Sequence, residues 1–194
     1  GRQARYCFVT GSLMILNAAD GASVRSLSSD TTGGFTLSWS PDGRWITAPV
    51  HSPRKLSRKF AMFPAQGGEP RFPFEEYAAT PMGPIVWTAD SRQLYARFLD
   101  NTRNQLIRLD MTTGEYTRVS DDLVNFWDYS VDRDGRTIAF NAESQHDPPD
   151  IFVRRDSKLL RLTDFNPHFA NFQLGDVRTV SWTSSVDGRE IPGV

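Results

Sequence analysis

Leu37-Ser38-Trp39-Ser40-Pro41-Asp42-Gly43-Arg44-Trp45-Ile46-Thr47-Ala48 reads as strand, tight turn, strand. Proline presets the first central residue of a type I turn, Asp suits the next position, and Gly takes the left-handed conformation that follows. On both sides apolar and polar residues alternate, as they do in a half-buried strand.

The same plan recurs along the chain. Val86-Trp87-Thr88-Ala89-Asp90-Ser91-Arg92-Gln93-Leu94-Tyr95-Ala96 is a second copy. Tyr129-Ser130-Val131-Asp132-Arg133-Asp134-Gly135-Arg136-Thr137-Ile138-Ala139-Phe140 is a third, and Asp187-Gly188-Arg189-Glu190-Ile191 marks a fourth. The aligned aspartates Asp42, Asp90, Asp134 and Asp187 are 48, 44 and 53 residues apart.

A second hairpin signal lies between the copies. It falls around Asp20-Gly21, Gly67-Gly68, Thr113-Gly114 and Asp156-Ser157. Two hairpins in about 45 residues make four strands per repeat, the signature of a propeller blade. A β-sandwich with coincidental turn spacing is the alternative, but it does not explain why the period recurs in both hairpins. No stretch carries a helical apolar stripe of useful length. The fold expected is all-β, a partial β-propeller of about four four-stranded blades.

Propellers close with ~4–8 blades, and each blade needs a neighbour on both sides. The chain opens inside a blade, at the strand-like Arg5-Tyr6-Cys7-Phe8-Val9. The expectation is therefore a larger ring of about seven blades, with further propeller preceding this segment. Isolated, residues 1–194 would expose blade faces and strand edges, so the segment alone is expected to be insoluble. The second copy departs from the others by placing Ser91 where they have Gly43 and Gly135. A serine is therefore expected at positive φ, a strained position for a non-glycine residue.

Bulk properties narrow the function classes. Aromatics at 12% and apolar residues at 39% indicate a folded chain. A formal charge of −1 gives no electrostatic reason to expect nucleic acid or an acidic membrane surface as partner. Arg54, Lys55, Arg58 and Lys59 cluster, which reads as a solvated loop or strand edge. Cys7 is alone, so no internal disulfide forms; one cysteine fits the cytoplasm, and the periplasm almost as well. No apolar run approaches the ~18 residues that cross a bilayer.

The motif Trp39-Ser40-Pro41-Asp42-Gly43 with Trp45-Ile46 resembles the blade repeat of prolyl oligopeptidase relatives and of TolB-type propellers. Leu160-Arg161-Leu162-Thr163-Asp164-Phe165-Asn166-Pro167 resembles the end of the last blade in bacterial peptidases of the prolyl oligopeptidase family. Val180-Ser181-Trp182-Thr183-Ser184 and Asp187–Gly193 resemble that family's linker and first hydrolase strand. The resemblance implies a propeller over residues 1–176 and, from 177 to 194, a linker and the start of an α/β-hydrolase domain. A Ser-Asp-His triad would then lie beyond Val194, with a Gly-x-Ser-x-Gly elbow carrying the serine. A subgroup of the family hydrolyses lasso-peptide isopeptide bonds, and the chain carries no mark that places it in or out of that subgroup.

The segment itself carries little chemistry. No Gly-x-Ser-x-Gly occurs; Gly21-Ala22-Ser23 sits in a hairpin and lacks the second glycine. His51, His146 and His168 are isolated in loop-like sequence and read as surface or packing residues. No Cys or His pair shows zinc spacing and no calcium loop is present, so neither metal nor cofactor is expected. His146, Asp147 and Asp150 are near neighbours, but Pro148-Pro149 suggests a rigid loop. Phe74-Glu75-Glu76-Tyr77 lies between blades. Dipeptidyl peptidases of the family grip a substrate's amino terminus with paired propeller glutamates, so the resemblance makes Glu75 and Glu76 candidate substrate-binding residues. Two carboxylates suit an ammonium, although the flanking residues match that motif poorly and a solvated loop is the plainer reading. Trp127-Asp128 precedes the turn and is out of place for the Trp-Asp dipeptide of another propeller class. Trp39, Trp45, Trp87 and Trp127 are expected in blade packing.

The function expected is the non-catalytic propeller of a serine peptidase. It would gate short peptides toward a hydrolase active site, its partners being the peptide substrate and the rest of the same protein. The alternative is a TolB-like propeller that binds a protein partner and has no enzymatic activity. A glycan-processing propeller would need clustered acidic and aromatic residues on one funnel, and no such cluster is evident.

Overall fold

The computed structural model describes residues 10–32, 37–52, 55–75, 77, 79–100, 102–120, 125–144 and 146–193. The strand expected at Arg5–Val9, together with Cys7, Arg54 and Glu76, lies outside the described residues. The described chain is all-β, and its one helical element is a short 3-10 turn, Pro167–Asn171. It forms two compact units that meet within one strand, residues 1–85 and 86–194.

The first unit contains a hairpin, β1 (Thr10–Leu16) and β2 (Ser23–Thr32), and a three-stranded antiparallel sheet of β3 (Ser38–Trp39), β4 (Trp45–Ser52) and β5 (Lys55–Pro64). A fourth strand is reduced to one bridge, in which Met62 and Arg71 exchange both backbone hydrogen bonds at 2.9 Å. Leu13 of the hairpin joins Ile46, Ala48, Ala61 and Phe63 of the sheet in one core. Burying Leu13, Ile46 and Phe63 stabilises by about 1.5–3 kcal/mol each. Arg25 of β2 fastens the hairpin to the sheet, its guanidinium donating to the carbonyl of Ala65 at 2.7 Å.

Two sheets have four strands each. One is β6 (Thr80–Trp87), β7 (Gln93–Asp100), β8 (Arg103–Asp110) and β9 (Tyr116–Arg118), with the division between units falling inside β6. The other is β10 (Asn125–Val131), β11 (Thr137–Glu143), β12 (Asp150–Arg155) and β13 (Lys158–Arg161). Tyr95 and Leu106 of the first of these sheets pack against Phe126, Tyr129, Ile138, Phe140 and Ala142 of the second. Phe126 meets Phe140 edge-on with ring centres 5.3 Å apart, a favoured aromatic geometry. A last hairpin follows the 3-10 turn, β14 (Val180–Thr183) with β15 (Glu190–Gly193).

The sequence expectation of about four four-stranded blades thus resolves into two full four-stranded sheets, one sheet of three strands with a bridged fourth, and hairpins at either end. The three-strand case has a local cause. Gly67 and Gly68 both take positive φ, and the chain returns to pair only at Arg71 before turning again through Phe72–Glu75.

The repeated turn is built as its sequence indicates. Ser40, Thr88 and Asp132 each accept a backbone hydrogen bond three residues on, from Gly43, Ser91 and Gly135. Those three residues have φ of 71°, 59° and 74°, so Ser91 does occupy the left-handed position. In the first copy the Ser40 hydroxyl donates to Asp42 at 2.6 Å and accepts from the Trp45 amide, while Asp42 accepts from the Arg44 amide. Thr88, Asp90, Gln93 and Arg92 repeat this arrangement. In the third copy the carboxylate that caps the turn is Asp132, which accepts the Arg136 amide, rather than the aligned Asp134.

Blade closure also repeats. Ser120 Oγ accepts the Leu106 amide at 2.8 Å, and Thr163 Oγ1 accepts the Ile151 amide at 2.9 Å. Each hydroxyl stands where a backbone carbonyl would otherwise continue the ladder, directly after a residue (Val119 or Leu162) that donates its own amide to the same strand.

Trp87 is buried, as expected, but Trp39 and Trp127 are 50% and 52% exposed, so they are not packing residues of the described core. Trp127 is the extra residue in a bulge of β10, where the register shifts between Phe126 and Asp128. A bulge turns one side chain out of the strand's alternation, and here it turns the indole toward solvent.

Candidate functional site

Glu75 lies on the loop that leaves the first three-stranded sheet. Phe74 anchors this loop: it is buried and meets Phe60 at 5.6 Å with an interplanar angle of 66°. Backbone turns from Phe72 to Glu75 and from Phe74 to Tyr77 fix the direction of the chain. The Glu75 carboxylate is exposed and takes a hydrogen bond from Lys59 Nζ at 2.6 Å, which makes Lys59 a counterion that an ammonium ligand would have to displace. A pair this exposed contributes about 0.5 kcal/mol. Glu76 lies outside the described residues, so the paired arrangement is not on view.

Among the described residues, neither His146 nor His168 is part of a catalytic arrangement. His51 lies on β4 opposite Arg58. Near His146, the residue types Ser, His and Asp occur together, but in a local turn. Ser144 Oγ donates to Asp147 at 2.6 Å and accepts the backbone amides of His146 and Asp147. His168 stacks with Phe169 and Phe172 in the exposed 3-10 turn. Among the described residues no three His, Cys, Asp or Glu side chains converge as a metal site.

Asp150 is a buried carboxylate with several partners. It accepts from Thr163 Oγ1 at 2.6 Å, from the Phe165 amide at 3.1 Å and from Arg161 Nε at 3.0 Å. Arg161 also reaches Asp164. The Thr163 hydroxyl and then Arg161 hold Asp150 below the usual carboxylate range. Every partner belongs to the same sheet end, so this group ties β12, β13 and the following loop together.

Sequence reasoning missed a cleft between the two complete blades. It encloses ≈ 570 Å³ and is lined by Arg108 and Arg118 on one side and Arg136 and Arg154 on the other, with Tyr95 and Ile138 at its floor. Tyr95, Arg108 and Thr117 form one cross-strand row, and Ile138 pairs with Arg154 on the facing sheet. Adjacent blades present opposite faces to each other, so residues of different strand parity meet. An arginine follows each repeated turn (Arg44, Arg92, Arg136 and Arg189), but nothing in the sequence indicates that Arg136 shares a cleft with Arg108.

No family model matches the chain, and no curated protein matches it by sequence. Solved structures do match it. Acylaminoacyl peptidase from Pyrococcus horikoshii aligns over 99% of this chain and 29% of its own, at 16% identity and a TM-score of 0.71. A protein assigned as TolB from Agrobacterium tumefaciens aligns over 80% of this chain and 56% of its own, at 21% identity and a TM-score of 0.61. TolB from Acinetobacter baumannii aligns over 81% of this chain and 41% of its own, at 15% identity and a TM-score of 0.56. The chain spans about half, or less, of the length of these structures, and what the likeness establishes is the propeller fold.

Proposed function

We propose that this chain is the propeller portion of a serine peptidase, placed so that it gates the access of short peptides to an α/β-hydrolase active site. The observation that supports this reading is the extent of the structural likeness. The peptidase aligns over 99% of the chain, a range that takes in the hairpin β14–β15, whereas the TolB structures leave about a fifth of the chain unaligned. The exposed apolar residues Val180, Trp182 and Ile191 on that hairpin suit a segment covered by a further domain. On this reading residues 1–176 are blades and 177–194 lead into the hydrolase. The propeller supplies no catalytic group; it restricts entry by size, while a serine nucleophile, a histidine base and an orienting aspartate act in the adjoining domain. Glu75 and Glu76 belong to this proposal as a secondary element, contacts for a substrate amino terminus.

The test is made on the gene's full product. It should be labelled by a fluorophosphonate at one serine and should cleave short peptides while leaving a folded protein intact. Removing the propeller should abolish that size selection. A product that takes no label and binds a protein partner instead supports the second reading, a TolB-like binding module, which the greater sequence identity to one TolB structure favours.

A further inference from the structure

The sheet β10–β13 has two faces in unlike surroundings. One carries Phe126, Tyr129, Ile138, Phe140 and Ala142 and is buried against the neighbouring blade. The other carries half-buried Ile151 and Val153 of β12, with Leu160 of β13 and the following Leu162, which are 57% and 59% exposed. Backbone pairing sets these four side by side. Val153 is opposite Leu160, and the Leu162 amide donates to the Ile151 carbonyl at 2.8 Å. An antiparallel sheet that faces water turns polar residues outward, whereas these two strands turn out aliphatic ones. A contiguous apolar patch of this kind marks an interaction surface.

The repeat identifies what covers it. The corresponding positions of the preceding blade are Leu106, Arg108, Thr117 and Val119: Arg108 is opposite Thr117, and the Val119 amide donates to the Leu106 carbonyl at 2.9 Å. In that blade the face is occupied by a sheet. Tyr95 and Leu106 are fully buried against β10–β13, and Val119 packs on the same core. We infer that the face formed by Ile151, Val153, Leu160 and Leu162 docks a further four-stranded blade of the same polypeptide, seated as β10–β13 is seated on the blade before it. The TolB and peptidase structures that share the fold extend well beyond the range they align with, which leaves room for such a blade. Substitutions within the repeat set the chemistry of the joint. Val153 and Leu160 stand where the first joint has Arg108 and Thr117, so the second is drier. Ala139 pairs with Val153 as Tyr95 pairs with Arg108, so it stands in the place of Tyr95. It lacks the hydroxyl that Tyr95 donates to Gly135 and leaves the volume of a phenol ring to be filled. The incoming blade therefore brings a bulky apolar side chain opposite Ala139, and the joint rests on apolar burial. The inference is independent of the peptidase reading, since a binding propeller needs the same joint.

The experiment measures the reactivity of single cysteines in the gene's full product, its native cysteines replaced by serine. Leu160→Cys should react with a maleimide at least about tenfold more slowly than Glu115→Cys, which lies in an exposed turn of the preceding blade. Leu162→Cys should behave as Leu160→Cys does, which provides a second site should one variant fold poorly. Protection should not change on about hundredfold dilution, because the blade belongs to the same chain. A photoreactive phenylalanine analogue in place of Leu160 should crosslink within the chain, to a strand of another copy of the repeat. Reaction at the rate of Glu115→Cys at both sites would show the face in water and overturn the inference. Protection lost on dilution, or a crosslink between two chains, would overturn it in favour of a second copy. A crosslink to a segment without the repeat would overturn it in favour of a different domain.

Discussion

The Tyr95 hydroxyl donates to the backbone carbonyl of Gly135 at 3.0 Å, linking one blade to the turn of the next across 40 residues of sequence. Tyr129 answers from the other blade, its hydroxyl donating to the Tyr95 carbonyl at 2.9 Å. A third bond, from the Ala89 amide to the Arg133 carbonyl at 2.8 Å, joins the two turns directly. Blade order is therefore fixed by polar contacts as well as by the aromatic core.

Gly135 is the point where this junction tolerates no side chain. Its φ is 74°, and a Cβ placed there would stand 2.9 Å from the Tyr95 hydroxyl and 3.0 Å from the Thr88 methyl. Gly135→Ala should destabilise the protein by about 2 kcal/mol, combining the left-handed conformation with overpacking. Urea denaturation measures it, and an unchanged midpoint would mean that the blades do not meet as described.

Ser91 makes the opposite case. It holds φ of 59° in a turn whose counterparts are glycine. Ser91→Gly should stabilise the fold by roughly 0.5–1 kcal/mol, the strain relieved less the entropy that glycine gains in the unfolded chain. The same denaturation series reads it; a midpoint that stays or falls would show that the turn carries no strain.

Ser120 is fully buried, and its hydroxyl is the acceptor for the Leu106 amide. Ser120→Ala leaves that amide without its acceptor and should destabilise by about 1–3 kcal/mol. Hydrogen exchange provides a local reading: the Leu106 amide should lose protection in the variant. Full retention of protection would contradict the closure of this blade by a side chain.

Asp150 gives the pH dependence a sign. Its carboxyl is held below the ordinary value by the Thr163 hydroxyl and by Arg161. The stability it contributes is therefore complete above the unfolded value near 3.9, and it is lost as pH falls through the lower folded value. Asp150→Asn should flatten the fall in stability below about pH 4 relative to the native protein. Parallel acid-unfolding curves for the two proteins would remove Asp150 from the acid response.

Legibility followed the range of the interactions concerned. The turn at Ser91 could be read by its alignment with Ser40-Pro41-Asp42-Gly43, where proline, aspartate and glycine act through their own backbone within four residues. The second hairpins around Asp20-Gly21, Thr113-Gly114 and Asp156-Ser157 were legible for the same reason, and Asp156 and Ser157 indeed take φ of 47° and 69°. Trp127 was misread because a bulge depends on the partner strand and leaves no mark in a sequence of alternating residues. The exposure of Trp39 has no local explanation in the residues around it. The arginine cleft was out of reach altogether. Arg108 and Arg154 sit on different blades, and only the packing of one sheet on the next brings them to one cleft. Glu75 was correctly placed in a loop between sheets, but its ion pair with Lys59 came from 16 residues away and from a cluster read as a solvated edge.

The measurement that bears most directly on the peptidase reading is the coding sequence that follows Val194. The reading predicts a Gly-x-Ser-x-Gly elbow within the next ~250 residues, followed by an aspartate and then a histidine, the chain order of an α/β-hydrolase triad. A reading frame that stops, or that continues without this elbow, would contradict it and leave a binding propeller in its place.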